Sequence, residues 1–146
     1  KKRLWVLDLQ KHKVLYNTYV AHGQKSGDVY ASHFSNQFGT HASSIGLFLT
    51  QNSYFGSKGL SLRLNGLDKG YNDNALRRAI VIHGAWYVDS KFANRYGRIG
   101  RSWGCPSVTP ALAKPIINTI KDGSLVFAYA PNFSWLHHSK YLTRYA

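Results

Sequence analysis

The segment GRIGRSWGCPSVTPALAKPIINTIKDG, residues 97–123, contains the one cysteine of the chain and its clearest helix. Residues 97–104 are glycine-rich and basic and show no periodicity, so they read as a turn. Thr109 then offers an N-cap and Pro110 suits the first helical position. Leu112, Ile116, Ile117 and Ile120 share one helical face, and Gly123 stops the helix. Cys105 thus sits between a glycine turn and the approach to a helix. Backbone N–H groups and neighbouring arginines there are expected to lower its pKa from about 8.5 and favour thiolate. The N–H groups of Gly104 and Cys105 are the candidate oxyanion donors, with the Ser102 hydroxyl beside them.

Working outward, residues 78–84, RAIVIHG, read as a fully apolar strand that ends at His83. Residues 4–9 and 14–21 read as a hairpin, 45–51 and 60–66 as strands, and 124–130 as a closing strand. In the 60–66 strand, Leu60, Leu62 and Leu64 alternate with Ser61 and Arg63. Residues 27–44 read as a long loop and 70–75 as a turn. The tail from residue 132 reads as a short helix or an extended, exposed cover. The pattern does not alternate strand and helix, so a doubly wound sheet is not expected. One mainly β domain over residues 1–146, β-sandwich or barrel-like with one helix after the cysteine, is expected.

Composition narrows the chemistry. The 146 residues carry 19 Lys and Arg against 6 acids, a net charge of +13. Such a charge steers polyanions: nucleic acid, anionic membrane or bacterial wall. The basic residues are scattered and match no nucleic-acid motif, so no nucleic-acid partner is expected. All six acids are aspartates, which excludes the glutamate-dependent metalloprotease helix. One cysteine makes no internal disulfide and no zinc pattern. The adjacent pair His137-His138 lacks a third ligand, so neither metal nor cofactor is expected. No apolar run approaches the length of a membrane span, so no stable insertion of this segment is expected. The absence of methionine and the start at Lys1 read as a processed or excised piece. The opening KKRLWVLDLQ reads as a strand rather than a secretion signal, being broken by Asp8.

A cysteine nucleophile needs a base, and His83 lies 22 residues before it (105 − 83). Gly84 follows His83, so a backbone carbonyl is the expected group that orients the imidazole. Taken singly, a lone Cys is usually a small core residue and a strand-end His a structural one. Together, VIHGAWYV and GRSWGCPSV resemble the catalytic core of the L,D-transpeptidase (YkuD-type) domains. The stretch 43–88 carries the likeness upstream, and it extends over roughly residues 20–130. The nearest pattern is a divergent murein branch with SWGC in place of SHGC.

This resemblance implies that Cys105 attacks a peptidoglycan stem peptide to give a thioester, which an amine of a second stem resolves into a cross-link. His83 carries over as base and acid, and Ser102 and Gly104 as parts of the cysteine turn. Trp103, Arg101, Arg98, Tyr54, His41 and Gly84 form the expected substrate-contact set, with Ser43, Ser44 and Gly56 nearby. Trp103 replaces the family's usual His and is expected to wall the cleft and exclude water. Ser107 stands where the family often has Arg, so Arg98 or Arg101 is expected to meet a substrate carboxylate. The partners implied are peptidoglycan stem peptides, and the place of work periplasmic or extracellular. An L,D-carboxypeptidase with the same site, or a non-catalytic wall-binding module, are the alternatives.

Overall fold

The computed structural model describes residues 1–142. It is mainly β, with two sheets and few helices. Strands β1 (Leu4–Asp8) and β2 (Lys13–Thr18) form an antiparallel ribbon. The strand expected over 14–21 is split at Tyr19. Its end, β3 (Val20–Ala21), joins a second sheet instead. That sheet also holds β4 (Gly46–Gly56), β5 (Gly59–Gly66), β6 (Val81–Gly84), β7 (Ser107–Val108) and β8 (Leu125–Ala128). Its strand order is β3-β7-β6-β5-β4-β8.

β4 runs past the expected 45–51 to Gly56 and turns tightly through Ser57-Lys58 into β5. β6 is shorter than the expected 78–84. Residues 69–79 form turns, and Ala79 has φ 55°, which breaks the strand before Val81. The last expected strand is trimmed to 125–128.

Three helices form where one was clear from sequence. α1 (Ser90–Tyr96) is capped by the Asp89 side chain, which accepts from Lys91 N, and ends at Gly97 with φ 74°. None of its residues is buried, so no apolar stripe marked it. α2 (Pro110–Ile120) buries Ala113, Ile116 and Ile117. Thr109 precedes it without a side-chain cap bond. α3 (Phe133–His138) is the short helix of the two readings of the tail; it is largely exposed but seats Trp135 fully buried against Ile45 and Ala130. His137 and His138 remain exposed.

The alternation of β5 sorts the sheet into two faces. Leu62 pairs with Ile82. Both belong to a core that also contains Val108 and the α2 residues Ala113 and Ile117. Gly84 lies on this face, where a Cβ would come within 3.0 Å of Ala113 Cβ, so glycine lets α2 approach. On the other face, Ser61 pairs with His83 and His83 with Ser107. Three neighbouring strands therefore place three polar side chains in one row.

No helix among the described residues is long and apolar enough to cross a membrane. Among them, no group of three or more His, Cys or Asp side chains is placed to hold a metal.

Candidate active site

β6 and β7 are parallel, with His83 opposite Ser107. Cys105 lies in a bend two residues before β7, and the Val81 backbone bonds to its sulfur. The thiol is 8% exposed and forms part of the wall of a cleft of about 470 Å³. Trp103, His41, Tyr54, Ser61, Lys58 and Arg78 also line this cleft.

The turn before Cys105 is clamped from within. Ser102 Oγ donates to Cys105 O at 2.6 Å and accepts from Gly104 N at 3.1 Å. Ser102 is buried, and it holds the turn rather than offering a donor to the cleft. The Gly104 amide is likewise committed, which leaves Cys105 N–H of the two expected oxyanion donors. Gly104 has φ 115°, and a Cβ there would lie 2.8 Å from Ala42 O. Only glycine allows the turn to press this close to the 35–44 loop. Ser43 braces the turn further, donating to Gly104 O at 3.3 Å while accepting from Gly23 N at 2.9 Å. Ser44 Oγ donates to Ser35 O, so the serines support the loop instead of lining the cleft.

His83 is 2% exposed and lies behind the cleft wall. Its Nδ1 is 2.9 Å from Gly84 O. A carbonyl only accepts, so Nδ1 carries the proton and Nε2 is the basic nitrogen. Gly84 is thus the expected backbone orienter, and its contacts are with His83 and α2 rather than the cleft. His83 Nε2 meets Ser107 Oγ at 3.1 Å, and Ser107 Oγ also lies 3.4 Å from Cys105 O. Tyr87 OH approaches the same hydroxyl at 3.4 Å. Ser107 therefore stands between the histidine and the cysteine strand, a role not read from the sequence.

The electrostatics differ from expectation. Burial pushes the Cys105 thiol above its ordinary value. The Val81 backbone bond and the charges of Lys58 and Arg78 pull it down, and burial wins. The thiol donates to Ala79 O at 3.7 Å, a carbonyl contact that favours S–H over thiolate. Burial also holds His83 below its ordinary value, with Lys58 adding to the effect against the Gly84 bond. Both shifts favour the neutral thiol and the neutral imidazole, against the thiolate expected from the turn and the arginines.

Arg98 and Arg101 do not line the cleft. Arg98 Nε pairs with Asp28 at 2.8 Å, and Arg101 donates to Gly27 O at 3.0 Å. They belong to a separate, smaller hollow around Asp28, His22 and Tyr30 or to its edge. The cations at the thiol are Lys58 and Arg78, neither singled out from sequence. Arg78 donates to Ser35 O, Ser44 Oγ, Thr40 Oγ1 and Ala42 O, at 2.6 to 3.3 Å. All four acceptors are neutral, so its charge stays uncompensated beside Cys105.

Trp103 and His41 stack with rings 4.7 Å apart and 2° from parallel, forming one wall. Trp103 is 65% exposed, so the wall reaches solvent. Tyr54 carries the Arg63 guanidinium 3.9 Å above its ring and sits in the cleft with Gly56.

A thiol in a cleft wall, one strand away from a histidine of fixed tautomer, defines the layout of a cysteine acyl-transfer domain. The sequence profile of the L,D-transpeptidase catalytic domain matches residues 1–129, and the chain belongs to this family. The family is of acyltransferase and peptidase type and acts on peptidoglycan stem peptides in cell-wall biogenesis. Comparison with curated proteins gives no match.

Proposed function

We propose that this domain is a peptidoglycan L,D-transpeptidase with Cys105 as nucleophile and His83 as base and acid. The observation that carries the reading is that Cys105 lines the cleft two residues before Ser107, the residue paired with His83 across β6 and β7.

In acylation, the thiol proton passes to His83 Nε2, directly or through the Ser107 hydroxyl. Sulfur attacks the stem carbonyl and an S–C bond forms. The Cys105 amide and the Arg78 charge stabilise the oxyanion. The C–N bond then breaks, and His83 returns the proton to the leaving amine. In the second half, an amine of another stem attacks the thioester and gives its proton to His83. The S–C bond breaks, and the thiolate recovers the proton. The Trp103–His41 wall limits water at the thioester, which favours the amine as acceptor. Work in the bacterial cell envelope, periplasmic or extracellular, follows from this substrate. The +13 charge suits a layer rich in carboxylates.

The test is incubation of the protein and Cys105→Ala with disaccharide tetrapeptide and tripeptide stems, with products read by mass spectrometry. Cross-linked dimers made only with Cys105 support transpeptidation. Monomers shortened by one residue, again only with Cys105, make the protein an L,D-carboxypeptidase. Product formation by Cys105→Ala refutes the mechanism. The raised thiol and its bond to Ala79 O favour one second reading, a wall-binding module with an inert cysteine. Tight binding to sacculi without any Cys105-dependent product selects it.

A further inference from the structure

The cleft has two cationic residues and, among the described residues, no aspartate in its lining. Their backbone positions flank the row of Ser61, His83 and Ser107. β5 runs antiparallel to β6, with Ser61 opposite His83 and Arg63 opposite Val81. Following β5 back from Ser61 leads past the His83 level to the hairpin tip at Ser57-Lys58. Arg78 lies the other way, before β6 begins. The order of backbone positions is therefore Arg78, then Val81 with Cys105 beside it, then His83 behind the wall, then the root of Lys58.

This order gives the substrate a direction. The attacked carbonyl sits at Cys105. The leaving amine must lie toward His83, which protonates it. The residue that carries this amine then extends toward Lys58, and the donor residue lies toward Arg78. The charge of Lys58 bears on His83 and on Cys105, where it outweighs that of Arg78, whereas Arg78 bears on Cys105 alone of the two. Arg78 is pinned by four neutral acceptors. Lys58 is exposed on a two-residue turn and free to follow a ligand.

We propose that Lys58 binds the free carboxylate of the residue that leaves and is the residue that reads that carboxylate in this chain. This rests on the acyl-transfer reading above and gives its leaving-group side a named anchor. It assigns to the hairpin tip the carboxylate contact that Arg98 and Arg101, turned to Asp28, do not make. A donor with an amidated end, or with further residues, places no carboxylate at the tip and loses the contact.

The test compares a tetrapeptide stem ending in a free carboxylate with the same stem ending in a carboxamide. Binding is read by NMR titration on Cys105→Ala, with and without Lys58→Gln. Turnover is read on the protein with Cys105 intact. The expected result is a preference of about tenfold for the acid, the scale of one partly exposed charge-assisted bond. Lys58→Gln is expected to lose that preference by weakening the acid alone, with KM rising more than kcat falls. Equal binding of acid and amide, or a preference that survives Lys58→Gln, overturns the proposal. Cys105-dependent turnover accompanying that result leaves the transpeptidase reading intact. Conversely, a Lys58-dependent preference without turnover supports the anchor and refutes the chemistry.

Discussion

Ser107→Ala is expected to push the His83 pKa further down and to slow acylation about fivefold. The hydroxyl serves both charge states of the imidazole. With neutral His83 it donates to Nε2 across 3.1 Å. With the imidazolium it rotates, accepts from Nε2–H and donates to Cys105 O, 3.4 Å away. A bond to a charged group is worth about twice a neutral one, about 2 against 1 kcal/mol. Deleting the hydroxyl therefore costs the imidazolium about 1 kcal/mol more than the imidazole. The sign follows: the protonated form is disfavoured and the pKa falls. The imidazolium is also what His83 becomes as sulfur attacks, so the same loss of about 1 kcal/mol appears as about fivefold in kcat/KM. The assay pairs an NMR titration of the His83 ring protons with the pH profile of kcat/KM. The acid limb should move to lower pH while its plateau drops. An acid limb that stays put or moves up, in a protein still folded by its NMR dispersion, refutes the reasoning.

Three further outcomes are expected. His22 and His83 are both held below their ordinary 6.5, chiefly by burial. In that window the unfolded chain binds more protons, so stability is full above about pH 6.5 and declines as pH falls through it; a Tm flat from pH 7.5 to 5 contradicts this. Alkylation of Cys105 by iodoacetamide should keep accelerating beyond pH 9.0, and Arg78→Met should delay it further. A rate already at plateau by neutral pH means a thiolate and a different resting state. Trp135→Ala should lower the unfolding free energy by about 3–5 kcal/mol. Trp135→Phe should cost much less, because Nε1 finds no acceptor among the described residues; equal losses in urea melts argue against the buried seat of α3.

How much of this was legible in the sequence depends on how local each signal was. α2 announced itself through Pro110 and an apolar stripe, and the alternation of Leu60, Leu62 and Leu64 gave the two faces of β5. The Gly84 carbonyl as partner of the imidazole was readable because Gly84 follows His83 directly in the chain. α1 was not, since an exposed helix of seven residues has no stripe, although Asp89 and Gly97 mark its ends. Arg98 and Arg101 were placed at the cleft on nearness in sequence to Cys105. Their partner is Asp28, which folding brings to them from a distant segment. Arg78 and Lys58 were missed for the converse reason: a turn and a hairpin tip deliver them to the thiol. The thiol itself was read as ionised from the donors around its turn. That reading lacked the depth of burial, which decides the sign.

The neutral resting pair also bears on how the reaction starts. A preformed thiolate–imidazolium pair would need the cations of the cleft to outweigh burial, and at Cys105 they do not. Substrate carboxylates that meet Lys58 and Arg78 would spend part of that positive charge, raising the thiol further rather than releasing it. Ionisation ahead of attack therefore becomes harder on binding. In the acylation proposed above, the proton then leaves sulfur as the S–C bond forms, when charge moves from sulfur to the oxyanion near Arg78 and the Cys105 amide. A cysteine kept as thiol until a carbonyl lies against it is protected from stray oxidants, because thiolate is the reactive form. On that mechanism, burial and the Ala79 carbonyl act together: they favour the unreactive thiol until a substrate supplies the carbonyl.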